Sequence, residues 1–221
     1  MTPLSFTKML KSHNSIDTFN PYSNICDTFD ISDAPEIRSR TLQQILEAAT
    51  NTEVDAIWIG RDLGHRGGRR TGLALTDETH APLHTKRWGI DIRRATKGDA
   101  VSERTATVIW SILAQIEEPI FLWNVFPFHP HEKNNPFSNR AHTSSERKTG
   151  EEILTMLVDL LSPRRIVAVG NDAYNSALRL SSNIEIYKVR HPSYGGHKDF
   201  VQQISEIYNL KNLSSRQGQR L

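Results

Sequence analysis

Three residues of different chemistry occupy matching positions in this 221-residue sequence. Asp62 follows the apolar run VDAIWI (54–59), within Gly60-Arg61-Asp62-Leu63-Gly64-His65. Asn124 follows IFLW (120–123), and His191 follows IEIYKV (184–189), within Arg190-His191-Pro192-Ser193-Tyr194-Gly195-Gly196. A fourth run, IVAV (166–169), leads into Gly170-Asn171-Asp172. A carboxylate offers negative charge and acceptors. An amide both donates and accepts, and an imidazole donates or accepts near neutral pH. Such a set can stabilise charge and read a hydrogen-bonding edge. Each member also has a plain structural explanation: Asp62 as a helix cap or turn former, Asn124 as a turn residue, His191 as a packed loop histidine. Their coincidence at one edge points to a site, provided that the runs are strands of one sheet.

The runs are short and continuously apolar, as strands buried on both faces of a parallel sheet are. Helical patterns alternate with them. Asp33 stands at a cap position and Pro35 in the first turn of a helix predicted over about Pro35–Ala49. A second is predicted over about Ser102–Glu117, and a third over about Ser144–Leu161, where Thr143 and Glu146 have capping-box spacing. A shorter helix follows Asn171, and another covers about Lys198–Tyr208. The segment Thr71–Thr76 fits a strand or a loop. This alternation predicts an α/β fold: a three-layer α/β/α sandwich around a central four-stranded, mainly parallel sheet. Ligands of open parallel sheets bind beyond the carboxyl ends of the strands, where the three residues fall. The polar, turn-rich first thirty residues read as an N-terminal extension with room for one short helix. The expected division is an extension over 1–33 and one domain over 34–221.

Composition narrows the function classes. The apolar and charged fractions, 37% and 24%, are those of a globular chain. No apolar run reaches the roughly 20 residues that span a bilayer, and the N-terminus lacks an apolar signal region. A membrane location is not expected. The single cysteine, Cys26, excludes an intramolecular disulfide and any four-cysteine zinc or iron–sulfur site within the chain. It suggests a reducing, cytoplasmic setting and reads as a packed small hydrophobe. The net charge of +2 names no partner, but Arg61, Arg66, Arg69 and Arg70 lie close together, followed by Lys86, Arg87, Arg93, Arg94 and Lys97. Such clusters suit either an anion-binding face or a solvated one. His129, His131 and Glu132 lack a clean zinc spacing, and no GxxxxGK[ST] or GxSxG motif occurs.

In order along the chain, Gly60-Arg61-Asp62-Leu63-Gly64-His65, Gly72-Leu73-Ala74-Leu75, Asn124 in FLWNVFPFHP and His191-Pro192-Ser193-Tyr194 resemble the motifs of the uracil-DNA glycosylase superfamily. The stretch NPFSNRAHTSSE, followed by a helix and PRRIVAVG, resembles several of its branches, and the likeness covers roughly residues 54–205. The resemblance implies a monofunctional DNA glycosylase of base excision repair. Such an enzyme flips uracil out of single- or double-stranded DNA and hydrolyses its N-glycosidic bond, with no metal and no organic cofactor. It further implies that Asn124 reads uracil, that Asp62 stabilises the cationic sugar and positions water, and that His191 donates to the leaving base. Arg61, Gly64, Leu75 and Phe126 complete the expected uracil pocket. Arg66, Arg69, Arg70, Arg190, Ser193, Tyr194, Gly195, Gly196, His197 and Lys198 are the expected DNA contacts. The protein is expected to act as a monomer.

The departures from the family pattern are specific. Gly64 stands where some members carry a tyrosine that excludes the thymine methyl, so that thymine is either accepted or excluded by another residue such as Arg61 or His65. Leu75 replaces the aromatic that stacks on uracil, so that Phe126 or Phe128 is expected to stack instead. Tyr194 or His197 is the expected wedge where the family carries a leucine. The one cysteine excludes the iron–sulfur branches. A nucleic-acid binder without catalysis is the alternative, in which Asp62 has a purely structural role.

Overall fold

The computed structural model describes residues 1–180 and 183–210. Eight helices and six strands follow in the order α1 (Pro3–Ser12), β1 (Thr18–Phe19), α2 (Ala34–Thr50), β2 (Ala56–Asp62), α3 (Gly68–Thr71), α4 (Ala81–Arg87), α5 (Arg104–Leu113), β3 (Ile120–Phe126), β4 (His129–Pro130), α6 (Ser144–Leu161), β5 (Arg165–Val169), α7 (Asn171–Ala177), β6 (Glu185–Val189) and α8 (His197–Ile207) among the described residues. The four apolar runs form one sheet in the order β3-β2-β5-β6, parallel at every pairing. β1 and β4 pair antiparallel in a small separate ribbon, which the sequence patterns did not indicate.

Alternation along the strands feeds two cores. Ile57, Ile59, Phe121, Trp123, Val125, Ile166 and Ala168 face one side, under α1, α2, α6 and α7. Ala56, Trp58, Leu122, Val167 and Val189 face the other, under α5 and α8. This is the predicted three-layer sandwich. The first 33 residues pack closely against it: Phe6, Leu10 and Tyr22 are buried in the first core.

The helix ends show how local chemistry sets the frame. Thr143 and Glu146 make the predicted reciprocal capping box of α6. Asp33 flanks α2 without a capping bond, because its carboxylate accepts from Arg93 Nη1 at 2.6 Å. α5 is shorter than the periodicity suggested and ends at Leu113. Of Thr71–Thr76, Thr71 ends α3 and the rest is a loop. Gly72 and Leu75 adopt left-handed backbone (φ +71° and +54°), and Thr71 Oγ1 donates to the Thr76 carbonyl and accepts from the Leu73 N–H. Two left-handed residues three apart cannot continue a strand.

Candidate active site

β2 and β3 extend further than their apolar runs, so Asp62 and Asn124 lie on strands rather than in the loops beyond them. The chain passes from β2 outward to β3, then crosses back to β5 and β6. A cleft of about 580 Å³ opens at the carboxyl ends of these strands. Asp62, Asn124 and His191 all line it, together with Arg61, Gly64 and Leu75. One edge of the sheet therefore gathers the three residues singled out by type and spacing.

Asn124 sits opposite Gly60 across the β2–β3 ladder. Its side chain is buried in the cleft floor, and Oδ1 has no hydrogen-bond partner. A buried amide oxygen left unpaired is costly, by roughly 1–3 kcal/mol. A ligand N–H would satisfy it. Leu75, held in its left-handed conformation, packs beside the same spot: a Cβ on Gly60 would meet its Cδ2 at 2.8 Å.

Asp62 is held from two sides. Arg61 Nε donates to Oδ2 at 2.7 Å, and His142 Nδ1 makes a close contact with Oδ1. Arg61 also reaches Asp172 Oδ2 at 3.2 Å, which ties the end of β2 to the first turn of α7. The carboxylate is thus fixed in orientation and accompanied by positive charge.

His191 Nδ1 receives the Ser193 N–H at 3.2 Å and lies 2.7 Å from Ser193 Oγ. An imidazole nitrogen that accepts is unprotonated, so the neutral ring carries its proton on Nε2. Burial, then the neighbouring Arg61 and Arg190, push the His191 pKa below its ordinary value. The ring is a neutral donor at neutral pH. Gly170, with φ +94°, lies against this residue: a Cβ there would stand 3.4 Å from His191 Cβ and 3.9 Å from its ring Cδ2.

Several expected contacts do not reach the cleft. Phe126 and Phe128 are fully buried, and Phe126 packs edge-on behind His142 (6.2 Å between ring centroids), so neither ring can stack on a base. Leu75, Leu63, Ala106 and Val169 supply the apolar lining of the cleft. Arg69 and Arg70 are buried too. Arg69 lies over the Phe19 ring at 3.7 Å and bonds His129 Nδ1 at 3.0 Å, while Arg70 lies over Phe29 at 4.0 Å and pairs with Glu78 at 2.7 Å. Those contacts anchor the β1–β4 ribbon and the glycine-arginine turn, not a phosphate. His129, pushed down to about 3 chiefly by burial and then by Arg69, is held neutral between Arg69 and the Ser138 carbonyl.

Arg61, Arg190, Ser193 and Tyr194 line the cleft. Tyr194 is 97% exposed and has φ +51°. Arg66, Gly195, His197 and Lys198 are exposed nearby in sequence, whereas Gly196 is buried at the start of α8, where a Cβ would lie 2.1 Å from the His191 carbonyl oxygen. His65 does not line the cleft; its N–H is bonded to Asn139 Oδ1 at 2.9 Å.

A family model of the uracil DNA glycosylase superfamily matches residues 48–209. The chain belongs to the uracil DNA glycosylase superfamily. A crystal structure of wild-type SMUG2 from Pedobacter heparinus superposes with a TM-score of 0.63 and 13% identity, covering 95% of this chain and 97% of that one. At that identity the likeness speaks for the fold. No curated protein matches the chain.

Two residues of this superfamily member's cleft region escaped the sequence patterns. His142 lies 80 positions from Asp62 and precedes the cap of α6. Its only signal was its place inside NPFSNRAHTSSE, a stretch that resembles the superfamily without marking a role. Glu103 caps no backbone with its side chain and lines the cleft opposite the first motif. It lay hidden at the start of a helix where an acidic residue is ordinary.

Proposed function

We propose that this protein removes uracil from DNA by hydrolysing its N-glycosidic bond. The observation that carries this reading is the unpaired, buried amide of Asn124 on a cleft floor shared with the Asp62 carboxylate and the neutral His191 donor. Uracil presents a carbonyl beside an N–H. The Asn124 amide can donate to O4 through Nδ2 and accept from N3–H through Oδ1. Cytosine presents the opposite pattern and leaves two buried polar groups mismatched, a loss of roughly 1–3 kcal/mol each. Leu75 supplies the apolar face under the base.

Bond cleavage sends the electron pair of the C1′–N1 bond to the base and leaves positive charge on the sugar. The fixed Asp62 carboxylate offsets that charge. His191 Nε2–H donates to the developing anion at O2, and Arg61 and Arg190 add positive field. Water then adds at C1′ and loses a proton, giving free uracil and an abasic site. A base within duplex must leave the stack to reach this floor. The exposed Tyr194 on the rim is the side chain suited to fill the gap. Arg190, Lys198 and Arg66 are suited to phosphates, which position the strand without reading it.

The test is uracil release from single- and double-stranded oligonucleotides with EDTA present. Alkali-labile abasic sites are the expected product. Salt-sensitive DNA binding without abasic sites, at enzyme excess, favours the non-catalytic binder instead. No helix among the described residues is long and apolar enough to cross a membrane.

A further inference from the structure

The cleft holds a second carboxyl group, and it is placed with more care than the proposed reaction has so far required. Glu103 lies at the start of α5, and its own N–H donates to Asp77 Oδ2 at 2.6 Å. Asp77, fully buried, also accepts from the Ser102 hydroxyl (3.3 Å), the His80 N–H (2.9 Å) and His80 Nδ1 (2.7 Å). Next to it, buried Glu78 accepts from the Val101 N–H at 2.9 Å and from the Thr96 hydroxyl, while pairing with Arg70. Two buried acids therefore pin the segment from Thr96 to Glu103 to the loop that follows the first motif.

The outcome is the position of one side chain. The Glu103 carboxyl lies across Gly64 and Gly67. A Cβ at Gly67 would sit 2.3 Å from Oε2, and one at Gly64 would sit 3.5 Å from Oε1. A side chain at Gly67 would displace the Glu103 carboxyl from this position. Among the described residues no side chain or backbone group hydrogen-bonds the Glu103 carboxylate, which lines the cleft with Asp62. Asp62, by contrast, has each oxygen engaged, by Arg61 and by His142. Gly64, over which the Glu103 carboxyl lies, is two residues beyond Asp62, and all three line the same cleft. Enzymes that hydrolyse glycosides likewise divide the work between two acids, one of which activates a water.

We propose that Glu103 takes the proton from the water that attacks C1′, leaving Asp62 as the fixed counter-charge to the sugar cation. This rests on the hydrolytic reading above. The step balances: the water oxygen bonds to C1′, the C1′–N1 pair leaves with the base, and the water proton passes to Glu103, which returns it to solvent or to the departed base anion. The division of labour follows from the surroundings. Both oxygens of the Asp62 carboxylate are already engaged, by an arginine and by a histidine. Glu103 is pushed above the ordinary glutamate range by burial first and by Asp77 second, with Arg66 opposing, which makes its carboxylate a stronger base than an ordinary glutamate. The charged or titratable groups around it are Asp77 with its partner His80 and Arg66 on the opposing loop; the shared cleft adds Asp62, His191, Arg61, Arg140, Asp172 and Arg190.

The experiment is single-turnover uracil release against pH for the wild type, E103Q, E103D and D62N. Binding of an oligonucleotide carrying uncleavable 2′-fluoro-deoxyuridine is measured beside it. The rate of the wild type should fall on acidification through one ionisation above that of an ordinary glutamate. E103Q should bind the uncleavable oligonucleotide as the wild type does, release uracil roughly 10²–10⁴-fold more slowly, and lose the acidic limb. E103D should keep the limb at a reduced rate, and D62N should keep it as well. An E103Q enzyme within about threefold of wild type, or one with the limb intact, overturns the assignment while uracil release by the wild type leaves the hydrolytic reading standing. If E103Q does not bind the oligonucleotide, E103D decides: a retained limb supports the assignment and a flat profile overturns it. A wild type that releases no uracil at any pH overturns both.

Discussion

Gly60 and Asn124 are paired across the β2–β3 ladder, and a methyl group on Gly60 would stand 2.6 Å from Asn124 Oδ1. The base-reading amide occupies the space that a side chain would take. Gly60→Ala must push aside Asn124, Leu75 or both, since Leu75 Cδ2 lies 2.8 Å from the same point. The backbone of β2 tolerates alanine. The expected result is therefore uracil release lowered at least tenfold, with Tm within a few degrees of wild type, checked by single-turnover kinetics beside thermal unfolding.

Asn124→Asp keeps the size of the amide and removes its N–H donors. An ionised carboxylate facing uracil O4 sets two acceptors against each other. Uracil release should fall steeply, and the preference for uracil over cytosine should shrink as the contact to O4 is lost. Competition between the two bases in otherwise identical oligonucleotides measures the ratio. An unchanged ratio would remove Asn124 from the role of reader.

The sheet and most helices were legible because four apolar runs and three amphipathic stripes follow simple periods. Asp62, Asn124 and His191 could be set at one edge for the same reason. The loop residues could not. Arg69 and Arg70 look like phosphate ligands in a glycine-arginine stretch, but Phe19, Phe29, His129 and Glu78, up to 60 positions away in sequence, take them into the interior. Phe126 looks like a stacking ring and has the strand parity of Asn124, yet at the end of β3 it is buried in the core beneath α1 and α6. Such outcomes depend on long-range packing that no local pattern encodes.

His142 fixes the second oxygen of Asp62 without lining the cleft itself. His142→Ala should lower the rate of base release and leave DNA affinity unchanged. A hydrogen bond to a charged group contributes about 1.5–3 kcal/mol, so the expected loss is roughly 10- to 100-fold. His142→Gln, which keeps a donor, should recover part of it. Equal losses in rate and in binding of uncleavable DNA would instead mark a folding defect.

The arginines divide into two kinds. Arg190 is exposed on the cleft rim, whereas Arg69 is buried against Phe19 and His129. Arg190→Ala should weaken DNA binding and make the slope of log affinity against log salt shallower by about one phosphate contact. Arg69→Ala should leave that slope unchanged and lower Tm, because it removes a stacked cation and strands the buried His129 nitrogen. The reverse pattern would return Arg69 to the DNA face.

Acid should weaken the fold before it unfolds the cap and turn networks. His84 is fully buried and, chiefly through burial and then Arg87, has its pKa pushed down to about 3; His129 is pushed down to about 3 as well. Both are neutral in the folded protein and take up protons in the unfolded chain near pH 6.5. A depressed folded pKa means that the unfolded state binds more protons below that point. Stability contributed by each neutral histidine is therefore whole above pH 6.5 and is lost as pH falls toward 3. The slope is at most about 1.4 kcal/mol per pH unit for each proton. Chemical denaturation between pH 7.5 and 4.5 should show the midpoint moving down with acid. His84→Gln keeps a polar group near Thr76 Oγ1, which His84 Nδ1 contacts at 3.0 Å, and cannot titrate. That variant should be less stable than wild type at pH 7.5 and should lose stability less steeply on acidification. Parallel pH dependences for the two proteins would show that His84 is not part of the acid response.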